Sequence, residues 1–88
     1  MKDPSSVLYT LEGWLRDASG VDQRTVRQLL VDCGYTEEVA ADYRSVLLFY
    51  RSGWPRWTLM ANNPAVPVGY LQRIANTMIP LIKGEHGL

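Results

Sequence analysis

Apolar residues recur at helical spacing in two segments near the start of the chain. From about Ser6 to Ala18, they fall on one face at i, i+4, i+7 and i+8. The second segment begins at Asp22, a good N-cap, with Val21 and Val26 placed as a hydrophobic staple. Gly34 supplies a left-handed stop. We therefore predict two amphipathic helices, whose inner faces are Val7, Leu8, Leu11, Trp14, Leu15 and Ala18, then Val26, Leu29, Leu30 and Cys33.

A third apolar stretch, from Thr36 to Tyr50, also fits a helical pattern. Thr36 can cap its start, and Glu37 and Glu38 suit the positive end of a helix. Leu48 and Phe49 point away from the main stripe, so the last turns would be apolar nearly all round. We interpret the segment as the central helix of a small bundle, and a surface for an oligomer or partner is the alternative. The stripe consists of Val39, Ala40, Tyr43, Val46, Leu47 and Tyr50.

The rest of the chain predicts one more long helix after a loop. Residues 57–61 fit a single extra helical turn, and residues 62–67 have the composition of a loop. Pro67 suits the first position of a helix, and Pro80 is expected to end or kink it. We expect a flexible tail over residues 84–88. The core stripe of this helix is Leu71, Ile74, Ala75 and Met78.

Sustained alternation of apolar and polar residues is not evident, so we predict no sheet. The expected fold is all-α: a single domain, residues 1–88, of four main helices with the extra short turn.

Composition narrows the class of protein. The chain has 88 residues, nine basic and nine acidic groups and one Cys. A single Cys forbids an internal disulfide, and no apolar run reaches the length of a membrane span, so we expect a cytoplasmic protein. Residues 46–88 hold four basic groups and one acidic group, which weakly favours acidic partners for this half.

Catalytic chemistry finds little support in the sequence. The single histidine, His86, lies in the predicted tail, where a general base could not be held in place. Cys33 is expected to be a buried structural thiol. Phosphate-binding loops and metal-ligand spacings are absent from the sequence. We expect no enzymatic activity, no metal and no cofactor.

The segment from Tyr50 to Trp57 carries the strongest functional signal. It places two Trp and two Arg around a Gly and a Pro, and Trp, Tyr and Arg dominate binding hot spots. We expect at least one of Trp54 and Trp57 to be mainly buried. The sequence favours a non-enzymatic interaction module, an adaptor, inhibitor or regulatory subunit, that docks on a larger protein or forms a homodimer. The expected contact residues are Leu48, Phe49, Arg51, Trp54, Arg56 and Trp57.

A nucleic-acid-binding regulator is the alternative. Helices two and three would be joined by only three residues, Gly34 to Thr36, as in a helix-turn-helix. Glu37 and Glu38 at the start of the third helix would repel phosphates, which weakens this interpretation. A second variant would use the basic and aromatic residues as a stacking platform for single strands.

Two short segments resemble turns of known families. Cys33-Gly34-Tyr35 resembles the Met-Gly-Phe loop of ubiquitin-associated domains, three-helix modules that bind ubiquitin through that loop. Residues 61–67 resemble the Asn-Pro-x-x-Pro turn of leucine-rich-variant helical repeats. We interpret both as shared turn chemistry rather than kinship.

Overall fold

The computed structural model describes residues 2–40 and 43–88 and shows an α+β fold. Two helices are followed by three strands and a third helix. The prediction of an all-α bundle without a sheet is therefore wrong. The elements are α1 (Pro4–Arg16), α2 (Gln23–Asp32), β1 (Thr36–Ala40), β2 (Tyr43–Tyr50), β3 (Trp57–Met60) and α3 (Val68–His86).

The first two helices follow the sequence prediction closely, except that Leu15, predicted on the inner face of α1, is 38% exposed. Asp3 caps α1 by accepting a hydrogen bond from the Ser5 amide. Asp22 caps α2 as expected, because its carboxylate accepts from the Thr25 amide at 2.9 Å. Gly34, at a φ of 90°, lets the chain turn from α2 into the sheet.

The three strands form an antiparallel sheet in the order β1-β2-β3. Leu47 pairs with Val39 on one side and with Leu59 on the other. Side chains alternate across the sheet, so Leu47 and Phe49 are buried while Leu48 and Tyr50 are exposed. The predicted third helix is thus a hairpin, because pairing between strands satisfies the backbone of residues that also fit a helical stripe.

The third helix begins where expected but runs further. Its predicted core stripe, Leu71, Ile74, Ala75 and Met78, is buried, and Ile82 extends it. The helix continues through Pro80 to His86, so the expectation that Pro80 ends it is wrong. Pro80 has no amide hydrogen, so the Asn76 carbonyl lacks its helical donor. The helix tolerates this because both residues are exposed. Residues 84–86, assigned by composition to a tail, form the last helical turn.

One face of the sheet contributes side chains to a core that it shares with the three helices. Leu47, Phe49, Trp57 and Leu59 belong to the same buried cluster as the apolar residues of α1, α2 and α3. The opposite face of the sheet carries exposed side chains. Among residues 2–40 and 43–88, no helix combines the length and the apolar character needed to cross a lipid bilayer.

Candidate interaction surface

Two of the six predicted contact residues belong to the core. Phe49 and Trp57 face each other across β2 and β3, with exposed fractions of 0% and 5%. The indole nitrogen of Trp57 is enclosed without a hydrogen-bond partner in the described part of the chain, so the ring serves packing. Neither side chain can contact a partner in this fold. The expectation that at least one Trp is buried is confirmed.

Arg51 joins three parts of the molecule. Its Nη1 donates to the Cys33 carbonyl at 2.9 Å, and its Nη2 donates to the Glu85 carboxylate. Its Cζ lies 3.9 Å from the centre of the Trp54 ring, which in turn meets Tyr35 edge-on at 6.4 Å. The bond from Arg51 lowers the pKa of Glu85. Arg51 is therefore a clamp between α2, the turn after β2 and the end of α3.

Trp54 and Arg56 occupy the turn between β2 and β3. Trp54 is half-buried under the Arg51 guanidinium, whereas Arg56 is exposed. The structure thus brings Arg51 and Trp54 together but leaves Arg56 pointing into solvent.

Two groups with raised pKa values lie beneath this turn. Burial raises the pKa of the Cys33 thiol and of the Tyr35 hydroxyl to about 12 each. The Tyr35 hydroxyl donates to the Pro55 carbonyl at 2.6 Å. Cys33 is buried, as predicted, and its neutral thiol has the properties of a packing group.

The side of the sheet that faces away from the helices carries an apolar patch, which we call the outer face: Val46, Leu48, Tyr50 and Met60, bordered by Glu38 and Thr58. Leu48, Tyr50 and Met60 are 37%, 40% and 51% exposed. The Tyr50 hydroxyl donates to Glu38 Oε1 at 3.2 Å. Of the six predicted contact residues, only Leu48 lies here. In the sequence this alternation is hidden, because residues 46–50 are all apolar or aromatic.

The two edges of the sheet differ. At β3, the Tyr70 hydroxyl accepts a hydrogen bond from the Thr58 amide at 3.0 Å, and the Gln23 side-chain amide donates to the Met60 carbonyl. These two side chains occupy main-chain groups that would otherwise point away from the sheet. The β3 edge is therefore capped by α2 and α3.

The β1 edge presents main-chain groups outward. The Ala61 amide donates to the Ser45 carbonyl, which places residues 45, 47 and 49 in hydrogen-bonded pairs with β3. Residues 48 and 50 must then bond to β1, through Glu38 and Thr36. The amide and carbonyl groups of Glu37 and Val39 consequently face away from β2, and both residues are exposed.

The other surface features give less support for a binding site. A groove of about 420 Å³ between α1 and α2 is lined by both signs of charge, including Lys2, Asp3, Arg24 and Asp32. Within the described residues, His, Cys, Asp and Glu side chains form no cluster of three or more that could hold a metal ion. No family model matches the sequence, and comparisons with curated proteins and solved structures give no match either.

Proposed function

We propose that the protein is a non-enzymatic interaction module that docks on a larger protein through the outer face. It would act as an adaptor, inhibitor or regulatory subunit in the cytoplasm. The observation that carries this proposal is the exposure of Leu48, Tyr50 and Met60 together on one side of a sheet whose other side buries Leu47, Phe49, Trp57 and Leu59 in the core. Contiguous apolar patches on small proteins commonly mark interaction sites.

The docking surface differs from the one expected from sequence. It keeps Leu48 and replaces Phe49 and Trp57, which are core residues, with Val46, Tyr50 and Met60. Arg51 and Trp54 would support the turn next to this surface. An exposed Arg56 could contribute at its rim, where charges affect association rate more than affinity.

Neither of the two structural features expected for a nucleic-acid-binding regulator is present in the described part of the chain. Thr36–Ala40 and Tyr43–Tyr50 form strands, so the expected helix-turn-helix is wrong. Trp57 is buried and Trp54 is covered by Arg51, so the expected stacking platform for single strands lacks free rings. We therefore retain the protein-docking function alone.

A matched pair of leucines tests the proposal. Leu48 on the outer face and Leu15 on α1 are 37% and 38% exposed, so Leu→Lys changes at the two sites remove similar apolar surface. Tagged wild-type protein would first capture its partner from cells of the native host. The purified partner would then be titrated with both variants by calorimetry, after circular dichroism has shown that each is folded.

We expect Leu48→Lys to weaken binding about tenfold or more, which corresponds to about 1.4 kcal/mol, and Leu15→Lys to leave affinity within about twofold. Equal affinities of wild type and Leu48→Lys would contradict the proposal. Nucleic acid as the captured species, with affinity that falls steeply as salt rises, would contradict it too.

A further inference from the structure

The open edge of β1 points to the form in which a partner binds, an inference that rests on the proposed docking function. We propose that β1 accepts an extended segment of the partner protein as a fourth strand, with a Lys or Arg of that segment opposite Glu38. The juxtaposition of outward main-chain groups at Glu37 and Val39 with an exposed carboxylate at Glu38 carries this proposal.

The contrast between the two edges gives the first argument. A sheet edge is a template for a further strand unless something covers it. The β3 edge is covered, because Tyr70 and Gln23 bind the outward groups of Thr58 and Met60. In β1, the outward groups of Glu37 and Val39 belong to exposed residues, so an added strand would find amide and carbonyl groups at alternate positions.

Charge gives the second argument and selects the occupant. Glu37 and Glu38 lie on opposite faces of β1 because successive side chains alternate. Glu37 already forms a two-point ion pair with Arg27 of α2, with Nε–Oε1 and Nη2–Oε2 distances of 2.6 and 3.1 Å. Glu38 accepts a hydrogen bond from the Tyr50 hydroxyl and is exposed. A cationic side chain directly opposite Glu38 would lie close enough to stabilise the added strand.

The same charges disfavour a second copy of this chain in the two pairings of β1 that are centred on its glutamates. Antiparallel pairing of β1 with itself, centred on Glu37 or on Glu38, places two like carboxylates directly opposite each other. A partner strand that alternates basic and apolar residues meets Glu38 with a cation. Its basic side chains would lie on the same side of the sheet as Leu48 and Tyr50, next to the outer face.

Peptides of defined sequence test the proposal directly. The probes are a capped hexapeptide of alternating Lys and Val, its Glu and Val counterpart, and the Lys-Val peptide with its Val amides N-methylated. Binding would be followed by NMR, which detects weak complexes, through shifts and hydrogen-exchange protection of the Glu37 and Val39 amides. We expect the Lys-Val peptide to bind about tenfold or more tightly than the Glu-Val peptide, and N-methylation to abolish the protection.

A pair of variants at one position separates main-chain pairing from side-chain contact. Val39→Pro removes the outward amide without removing a bond to β2, since proline is tolerated where the N–H of an edge strand faces solvent. Val39→Thr has a similar shape and keeps the amide. We expect Val39→Pro to lose peptide binding about tenfold or more and Val39→Thr to stay within about twofold. Glu38→Lys should reverse the preference between the Lys-Val and Glu-Val peptides.

Failure of this inference is distinguishable from failure of the docking function. If the captured partner binds Val39→Pro normally but loses affinity for Leu48→Lys, docking uses the outer face alone and the added strand is wrong. If neither peptide protects Glu37 and Val39, the glutamates protect the edge from pairing and the inference is overturned. A dimer by light scattering that Val39→Pro dissociates would identify the occupant as a second copy and would overturn the choice of a basic partner strand.

Discussion

Arg51 shows how a residue typical of binding sites can be committed to the fold. Its guanidinium bonds to the Cys33 carbonyl and to Glu85 and lies over Trp54. Each contact comes from a different part of the chain, so the side chain connects the end of α2, the β2–β3 turn and the end of α3. Arginine is common in binding hot spots because its planar guanidinium donates several hydrogen bonds. The same chemistry makes it an effective clamp inside a fold.

Removal of this clamp should therefore lower stability. We expect Arg51→Ala to reduce the free energy of unfolding by about 1–3 kcal/mol, because hydrogen bonds to charged groups and a stacked cation are lost. Arg56→Ala is the matched control: Arg56 is exposed, and in the described part of the chain no hydrogen bond or ion pair holds it. This variant should change the free energy of unfolding by no more than about 0.5 kcal/mol. Urea unfolding followed by Trp fluorescence measures both, and equal small losses would show that Arg51 is not a clamp.

At the scale of secondary structure, α3 contains an internal proline that the fold tolerates. Pro80 leaves the Asn76 carbonyl without its amide donor, and proline in a helix interior costs about 3 kcal/mol. We expect Pro80→Ala to raise the free energy of unfolding by about 1–3 kcal/mol. Pro67→Ala, just before the helix, should lower it by about 0.4–1 kcal/mol, since only the unfolded chain gains freedom there.

Thermal unfolding of the two proline variants distinguishes the sites. We expect Pro80→Ala to raise the midpoint temperature of unfolding and Pro67→Ala to lower it, although both replace proline by alanine. A loss of stability in Pro80→Ala would contradict a continuous helix from Val68 to His86.

Of the two side chains that cap β3, Tyr70 contributes a single hydroxyl that can be removed alone. Tyr70→Phe keeps the edge-to-face contact with Trp57, whose ring centre lies 6.0 Å away, and removes the acceptor for the Thr58 amide. We expect a loss of about 0.5–1.5 kcal/mol and faster hydrogen exchange at Thr58. Tyr9→Phe is the control, because Tyr9 is 74% exposed on α1. Unchanged exchange at Thr58 would show that the hydroxyl does not seal this edge.

The three helices were predictable from sequence because their signals are local. Asp22 caps its own helix, and Leu71, Ile74 and Met78 repeat at a spacing that only one face of a helix satisfies. The hairpin was not found, because Leu48 and Phe49 are both apolar and hide the alternation of β2. β-Branched and aromatic residues between 36 and 50 gave a weaker signal for strands, and pairing with distant residues decided the outcome.

The candidate surface was predictable only in part for the same reason. Leu48 and Phe49 are neighbours in sequence, yet the pleat sends one to solvent and the other to the core. The exposure of Tyr50 and Met60 depends on the register of β2 with β3, which no local pattern specifies. Composition identified residue types suited to binding, whereas the sheet determined which of them are accessible.

At the scale of the whole molecule, one core holds the fold and one face is left uncovered. The helices cover the inner side of β2 and β3 and cap the β3 edge, so the accessible apolar surface and the open β1 edge lie on neighbouring sides. A small domain has little stability to spare, so groups that ionise on unfolding should have visible effects.

Stability should consequently depend on pH at both ends of the range. The pKa of Cys33 rises from 9.0 to about 12 and that of Tyr35 from 10.0 to about 12, so the unfolded chain releases these protons first. Their contribution is complete below about pH 9 and declines from there towards pH 12. Asp17, Asp22 and Glu85 have lowered pKa values, so their contribution is lost as pH falls below about 4.

Urea unfolding between pH 7 and 11 measures the alkaline limb, and Cys33→Ala assigns it. The variant lacks the thiol, so its stability should fall less steeply between pH 9 and 10, where Cys33 ionises in the unfolded chain ahead of Tyr35. In the variant, the decline that remains above pH 10 comes from Tyr35, whereas both groups contribute to it in the wild type. Identical slopes for wild type and variant below pH 10 would show that the thiol is not held neutral in the core, and would thereby contradict the close packing of Cys33 beneath the Arg51 clamp.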